Sequence, residues 1–283
     1  MITAILKLLA CACLLWLSAC TQAEEPCGEG VPRQAPHPYT HQTCPIAGRM
    51  GEFKLAIPRQ YQFMEVAYKG YDLWNAETHH NNPKVPTLNS ELDYFGIRVR
   101  RNNFRPIETH ADQLDEQNFG KNENSTPLDQ RWIWVTFRYQ GKEGVALTPN
   151  SGPATAYFGS PLTDWDKYFA PIYGRLIHDQ KKTWGLEHYI SANPPGTGSN
   201  QSQKEYFLDG KLTRQIRCQT KFQNVAPYAP LASCNFIFKI VHPQSRDVID
   251  VEASLLLQYK ADVSDWSHIE QGIRTVFDSF IVR

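Results

Sequence analysis

The sequence has no excess of charge of either sign: 29 Lys+Arg stand against 29 Asp+Glu in 283 residues. That excludes a broadly basic nucleic-acid binder and a strongly acidic solvating chain. It has no apolar run long enough for a membrane helix, since Leu8–Leu17 is only ten residues. A mean hydropathy of −0.47 also excludes a polytopic membrane protein. The usual catalytic signatures are missing. There is no His-Glu-x-x-His for a zinc protease, no Gly-x-Ser-x-Gly elbow and no Ser-x-x-Lys. Gly196-Thr197-Gly198 lacks a third glycine and follows Pro194-Pro195, so it reads as a polar loop, not a phosphate cradle. Ser202-Gln203-Lys204 lies in a stretch rich in Ser, Asn and Gln and is expected to be solvated. With 41% apolar and 12% aromatic residues, disorder over most of the length is excluded. A chain this long buries one large core or two modest ones.

What is present is an address. Lys7 precedes the apolar run, which has the length of a signal-peptide core. Leu17-Ser18-Ala19-Cys20 follows and resembles the bacterial lipobox. The resemblance implies cleavage before Cys20, lipid on that cysteine and removal of residues 1–19; a plain secretory signal cut near Ala19 or Ala23 is the other reading. Thr21 after the cysteine, in place of Asp, favours the outer membrane by the sorting rule of enterobacterial lipoproteins. The expected location is the periplasm, anchored by lipid.

Cys11 and Cys13 leave with the signal, and Cys20 takes the lipid. Cys27, Cys44, Cys218 and Cys234 remain, an even number in an exported chain, which points to disulfides. Three pairings are possible; proximity favours Cys27–Cys44 and Cys218–Cys234. Each would close a loop of about 15 residues, worth roughly 3 kcal/mol in the loop-entropy view. Zinc is the rival use, but the short Cys-x-x-Cys spacing is absent.

Residues 20–46 read as a Pro-rich tether, with Pro26, Pro32, Pro36, Pro38 and Pro45 breaking any helix. A Cys27–Cys44 bridge would fold part of it back. Residues 47–283 read as the globular body, either one domain or two lobes, 47–180 and 181–283. Alternation predicts strands at Phe53–Ile57, Phe63–Tyr68, Tyr94–Arg100, Trp132–Tyr139 and Thr155–Phe158. Residues 75–90 and 102–130 read as loop or irregular chain. Asp164–Asp179 is ambiguous, its helical spacing interrupted by Pro171 and Gly174. Leu212–Cys218, Cys234–Val241 and Val248–Tyr259 are clearer strands, the last two forming a hairpin across the short segment holding Pro243. In the last strand Asp250, Glu252 and Ser254 are expected to face water. A helix follows, capped by Ser264 or Asp265, or in a second register by Ser267 with Glu270. Trp266, Ile269, Ile273, Val276, Phe277 and Phe280 form its apolar stripe. The fold class is α+β: mainly antiparallel sheet with a C-terminal amphipathic helix packed on it.

The titratable residues suggest no site. His37, His41, His79, His80 and His110 fall in polar or Pro-rich stretches, and His178, His188, His242 and His268 share no spacing. Asp164/Asp166 and Asp250/Glu252 are carboxylate pairs, but acid–base work needs a pocket that shifts one of them. No catalytic residue, metal or cofactor is expected. Among the tryptophans, Trp132, Trp134, Trp165, Trp184 and Trp266 read as core more than interface.

Gly185-Leu186-Glu187-His188-Tyr189, Ile216-Arg217-Cys218, Cys234-Asn235-Phe236, Asp265-Trp266-x-x-Ile269 and Asp278-Ser279-Phe280 together are similar to envelope immunity proteins associated with type VI secretion. The likeness covers about the last hundred residues. It implies a periplasmic protein or lipoprotein that binds and blocks a toxin delivered by a neighbouring cell, and it carries over no toxin-contacting residue. The lipobox, not this likeness, supplies the membrane contact through Cys20. The missing signatures point to a non-enzyme, and the balanced charge leaves no nucleic-acid partner expected. An envelope assembly or maintenance lipoprotein is the alternative, with a hydrolase of peptidoglycan or lipid behind it.

Overall fold

The computed structural model describes residues 27–34, 37, 41–64, 66–71, 75–122, 132–142, 176–191, 202–209, 214–221, 232–257 and 264–283. The expected signal segment 1–19, Cys20, the strand at 155–158 and Asp164–Asp166 lie outside them. Two strands, β1 (Ile46–Met50) and β2 (Phe53–Ile57), make an antiparallel hairpin. Pro58 ends the second, as its missing N–H requires. The rest is one antiparallel sheet. Its strands are β3 (Ala67–Tyr68), β4 (Leu92–Arg100), β5 (Trp132–Lys142), β6 (Leu176–Thr183), β7 (Leu186–Ser191), β8 (Ser202–Leu208), β9 (Arg214–Lys221), β10 (Ala232–Val241) and β11 (Asp247–Leu257). The nine run β3-β4-β5-β11-β10-β9-β8-β7-β6 across the sheet. Strands from both sides of residue 180 share it, and residue 180 itself falls within β6.

Two α-helices are present among the described residues, α1 (His110–Asn122) and α2 (Trp266–Phe280), with short 3-10 turns at Arg59–Tyr61 and Ala76–Asn81. α2 lays Ile269, Ile273, Val276, Phe277 and Phe280 on the sheet, all buried. Phe277 stacks on Phe137 of β5 with ring centroids 5.3 Å apart and meets Phe53 of β2 edge-on at 5.4 Å. Phe95, Ile249, Val251, Phe236 and Phe238 complete this core. Each such side chain contributes about 1.5–3 kcal/mol before ordering costs. The hairpin joins the helix end: Val282 N–H donates to Lys54 O at 2.9 Å. This is the α+β arrangement read from the pattern, and β10 and β11 pair in the expected hairpin.

Four local expectations are corrected. Segment 102–130, read as irregular, holds α1. That helix lacks an apolar stripe and is fixed by charge, with Arg98 paired to Glu116, and Arg100 to Asp112 at 2.8 Å and Asp115 at 3.0 Å. In place of a strand across 63–68, the strand among the described residues is Ala67–Tyr68, with a register shift between its two residues, and Phe63 N–H donates singly to Gly96 O at 3.0 Å. Ser202–Lys204, read as loop, begins β8. Asp265 occupies the α2 N-cap without a side-chain cap bond; it binds Arg101 at 2.5 Å instead, and Glu270 is buried against Arg214 at 2.6 Å.

Candidate functional site

Both favoured disulfides are formed, Cys27–Cys44 and Cys218–Cys234. Cys218 and Cys234 face each other across β9 and β10 and are fully buried. The bridge therefore clamps two neighbouring strands of one sheet. The first bridge closes a segment that is docked on the body: Arg59 Nε donates to Cys44 O at 2.8 Å, and Gln34 Nε2 to Ala56 O at 3.3 Å.

Among the described residues, a polar cleft of about 220 Å³ lies between the β1–β2 turn and one end of the sheet. Gly51 lets the turn come close. Its φ is +60°, and a Cβ there would stand 2.3 Å from Asp247 Cγ. The turn then aims the Glu52 N–H at Asp247 Oδ2, 3.0 Å away. Tyr139, on β5, donates its hydroxyl to Asp247 Oδ1 at 2.8 Å, and Ser245 donates to Oδ2. Burial opposes the Asp247 charge, but the Ser245, Tyr139 and Glu52 hydrogen bonds with nearby Lys142 outweigh it and hold the carboxyl below its usual range. Burial, then the bond to Asp247, pushes the Tyr139 phenol up to about 12.

The opposite wall carries Glu91 between two cations. Lys69 Nζ lies 2.7 Å and Arg49 Nη2 3.1 Å from its two oxygens. The Lys69 bond and charge lower Glu91, and Glu91 in turn raises Lys69. Asp93 departs from this pattern, with burial raising its carboxyl despite a bond from the Gly70 N–H. Arg49 Nε is shut off from solvent and has no acceptor among the described residues. The cleft thus holds fixed charges of both signs, three cations and four carboxylates, a set suited to recognising charge more than to moving protons.

A second polar feature overturns an expectation. Asp250 does not face water: it is 5% exposed, and neither carboxylate oxygen has a hydrogen-bond partner among the described residues. β11 is a central strand, so its second face is flanked by strands on both sides and Asp250 is hemmed in by their side chains, although Arg138 and Trp134 on that face stay exposed. Asp250 stands between Lys239 of β10 and Arg138 of β5 in register. Burial still dominates those cations and raises its carboxyl to about 6. Glu252, two residues on, accepts from Asn235 Nδ2 at 2.6 Å and Arg217 Nη2 at 3.3 Å.

A third cluster ties the far edge of the sheet. His188 on β7 reaches Asp179 of β6 at 2.6 Å and Glu205 of β8 at 3.0 Å, and its ring stacks on Phe207. His178 and Lys182 both hold Glu187. The β6–β7 pairing sets His178 beside Glu187 and Tyr189, which alternate with His188 along β7, so the two histidines serve different faces of the sheet. His79, His80 and His110 are exposed, and no group of three metal-ligating side chains occurs among the described residues. Trp132 is buried, Trp184 and Trp266 pack against the core, Trp134 is 40% exposed over Phe63, and Trp165 lies outside the described residues.

The chain matches no protein-family model, and comparison with curated proteins finds no match.

Sequence reasoning missed the cleft. Tyr139 and Asp247 are 108 residues apart, and neither stands in a motif. The one local signal was the Ser245-Arg246-Asp247 turn beside Pro243, where a short polar side chain commonly bonds its neighbour.

Proposed function

We propose that this chain is an exported lipoprotein, anchored through Cys20 on the periplasmic side of the outer membrane, that binds and neutralises a toxin delivered to the envelope. The cleft at Arg49 carries the reading. At about 220 Å³ it falls below the range of sites for small metabolites and fits one inserted side chain. Arg49, Lys69 and Lys142 line it together with Glu52, Glu91, Asp93 and Asp247, so a polar or charged side chain of a protein partner would meet fixed charges of both signs. Two disulfides agree with an oxidising compartment, and the lipobox-like Leu17-Ser18-Ala19-Cys20 with a lipid anchor. The likeness to immunity proteins supplies the kind of partner.

The test is capture of a cognate toxin by the tagged chain, with survival of cells that carry or lack the gene. Arg49→Ala should weaken the complex about 30-fold or more, since it removes a cation from the contact and leaves Glu91 with one of its two cations. If cells without the protein resist the toxin as well as the parent, the reading fails. Altered membrane permeability in pure culture, with no toxin present, would favour envelope maintenance instead. A second reading, a hydrolase, rests on Asp250, a buried carboxyl raised to about 6. That reading requires turnover of peptidoglycan or phospholipid that Asp250→Asn abolishes.

A further inference from the structure

We infer that the body is moored edge-down, with loop 82–90 lying on the lipid surface, so that the Arg49 cleft meets its partner at the membrane and not at a distance from it. This rests on acylation of Cys20 in the reading above.

Cys20 and Cys27 are seven residues apart. Fully extended, seven residues span at most about 25 Å. Cys27 is not free to drift, because its bridge to Cys44 belongs to a segment bonded to the body at Arg59 and, through Gln34, at Ala56. The next residue is pressed against the loop. A Cβ on Gly28 would stand 2.0 Å from Pro86 O, and Val31 N–H turns back to Gly28 O at 3.0 Å. The segment expected to act as a long spacer therefore leaves only a short leash, attached beside Pro86.

At that point the loop offers Lys84 and Val85, both exposed, Val85 to 50%. The other exposed large apolar side chains among the described residues are Leu114, Trp134 and Ile177. Trp134 pairs with Arg98, near the opposite end of β4 from this loop. Leu114 lies on α1, which follows that same end. Ile177 lies on β6, the far edge of the sheet, eight strand spacings from β3 or about 38 Å measured along the sheet. Only Val85 stands at the anchor, where an amphipathic tip beside a cation suits the headgroup layer. The cleft lies close behind: Glu91 follows Val85 by six residues, at most about 20 Å of chain.

The acylated full-length product, reconstituted in phosphatidylcholine vesicles, should be treated with an amine-reactive ester and its lysines scored by mass spectrometry. The reference is the chain starting at Thr21, without lipid, mixed with the same vesicles. Lys84 should react about tenfold more slowly in the anchored protein, and Lys181 on β6 at an unchanged rate. Inserting about fifteen Gly and Ser residues between Ala23 and Cys27 should restore Lys84. Equal Lys84 rates in a chain whose N-terminal peptide carries the acyl mass overturn the mooring and leave the lipoprotein reading standing. Protection that survives the insertion overturns the short leash as its cause. An N-terminal peptide without acyl mass overturns both.

Discussion

The Tyr139 hydroxyl donates to Asp247 Oδ1 at 2.8 Å and so joins the end of β5 to the start of β11 beneath the β1–β2 turn. Tyr139→Phe removes one of the donors that keep a buried carboxylate ionised. We expect a loss of about 1–3 kcal/mol at pH 7, measured by denaturant unfolding. The folded Asp247 carboxyl titrates below its unfolded value, so its stabilising part is complete above the unfolded value near 4. It is lost as pH falls through the folded value. The gap between wild type and variant should therefore close in acid; a gap that stays constant to pH 2 contradicts this.

Asp250 has the opposite sign. Its folded carboxyl sits at about 6, above the unfolded value near 4. Between those values the folded state holds more protons, so stability falls as pH rises from about 4 to 6 and is flat above. The wild type should lose on the order of 1–3 kcal/mol across this window through Asp250, and Asp250→Asn should lose little. Parallel curves for the two proteins would show that the group titrates as it does in water.

Cys218 and Cys234 clamp β9 to β10 in register, 16 residues apart in sequence. Replacing both by Ala should cost roughly 3 kcal/mol. Chemical denaturation checks the size. Unchanged stability after the double replacement would mean that the flanking strand pairs alone fix this part of the sheet.

Thr109 and Asp112 cap α1 reciprocally: Asp112 N–H donates to Thr109 Oγ1 at 3.1 Å, and Thr109 N–H to Asp112 Oδ2 at 2.9 Å. Thr109→Ala should weaken the helix by about 1 kcal/mol. Because α1 is held by ions and not by an apolar face, 1 M salt should aggravate the loss. Amide exchange along 110–118 reads both effects, and exchange indifferent to the cap and to salt argues against this account.

The core was legible because its signal is periodic. Phe236, Phe238 and Ile240 alternate, and Ile269, Ile273, Phe277 and Phe280 recur at three and four, so strand, helix and contact face follow from spacing. α1 was not legible as an amphipathic helix, since its partners Arg98 and Arg100 belong to another strand; Thr109-x-x-Asp112 was its readable mark. Asp250 misled because alternation names a face but not what covers it. The cleft stayed hidden for a different reason: Arg49, Glu91, Tyr139 and Asp247 meet through pairings between distant segments, and no short window contains two of them.

The central pairing of β5 with β11 also bears on how the protein is made. Their contact at Tyr139 and Asp247 spans 108 residues. A chain produced from its N-terminus finishes β5 long before β11 exists, so one row of backbone donors and acceptors waits uncovered during biogenesis. Shielding of that nascent ribbon, more than any property of the mature surface, should govern how much of the product escapes aggregation.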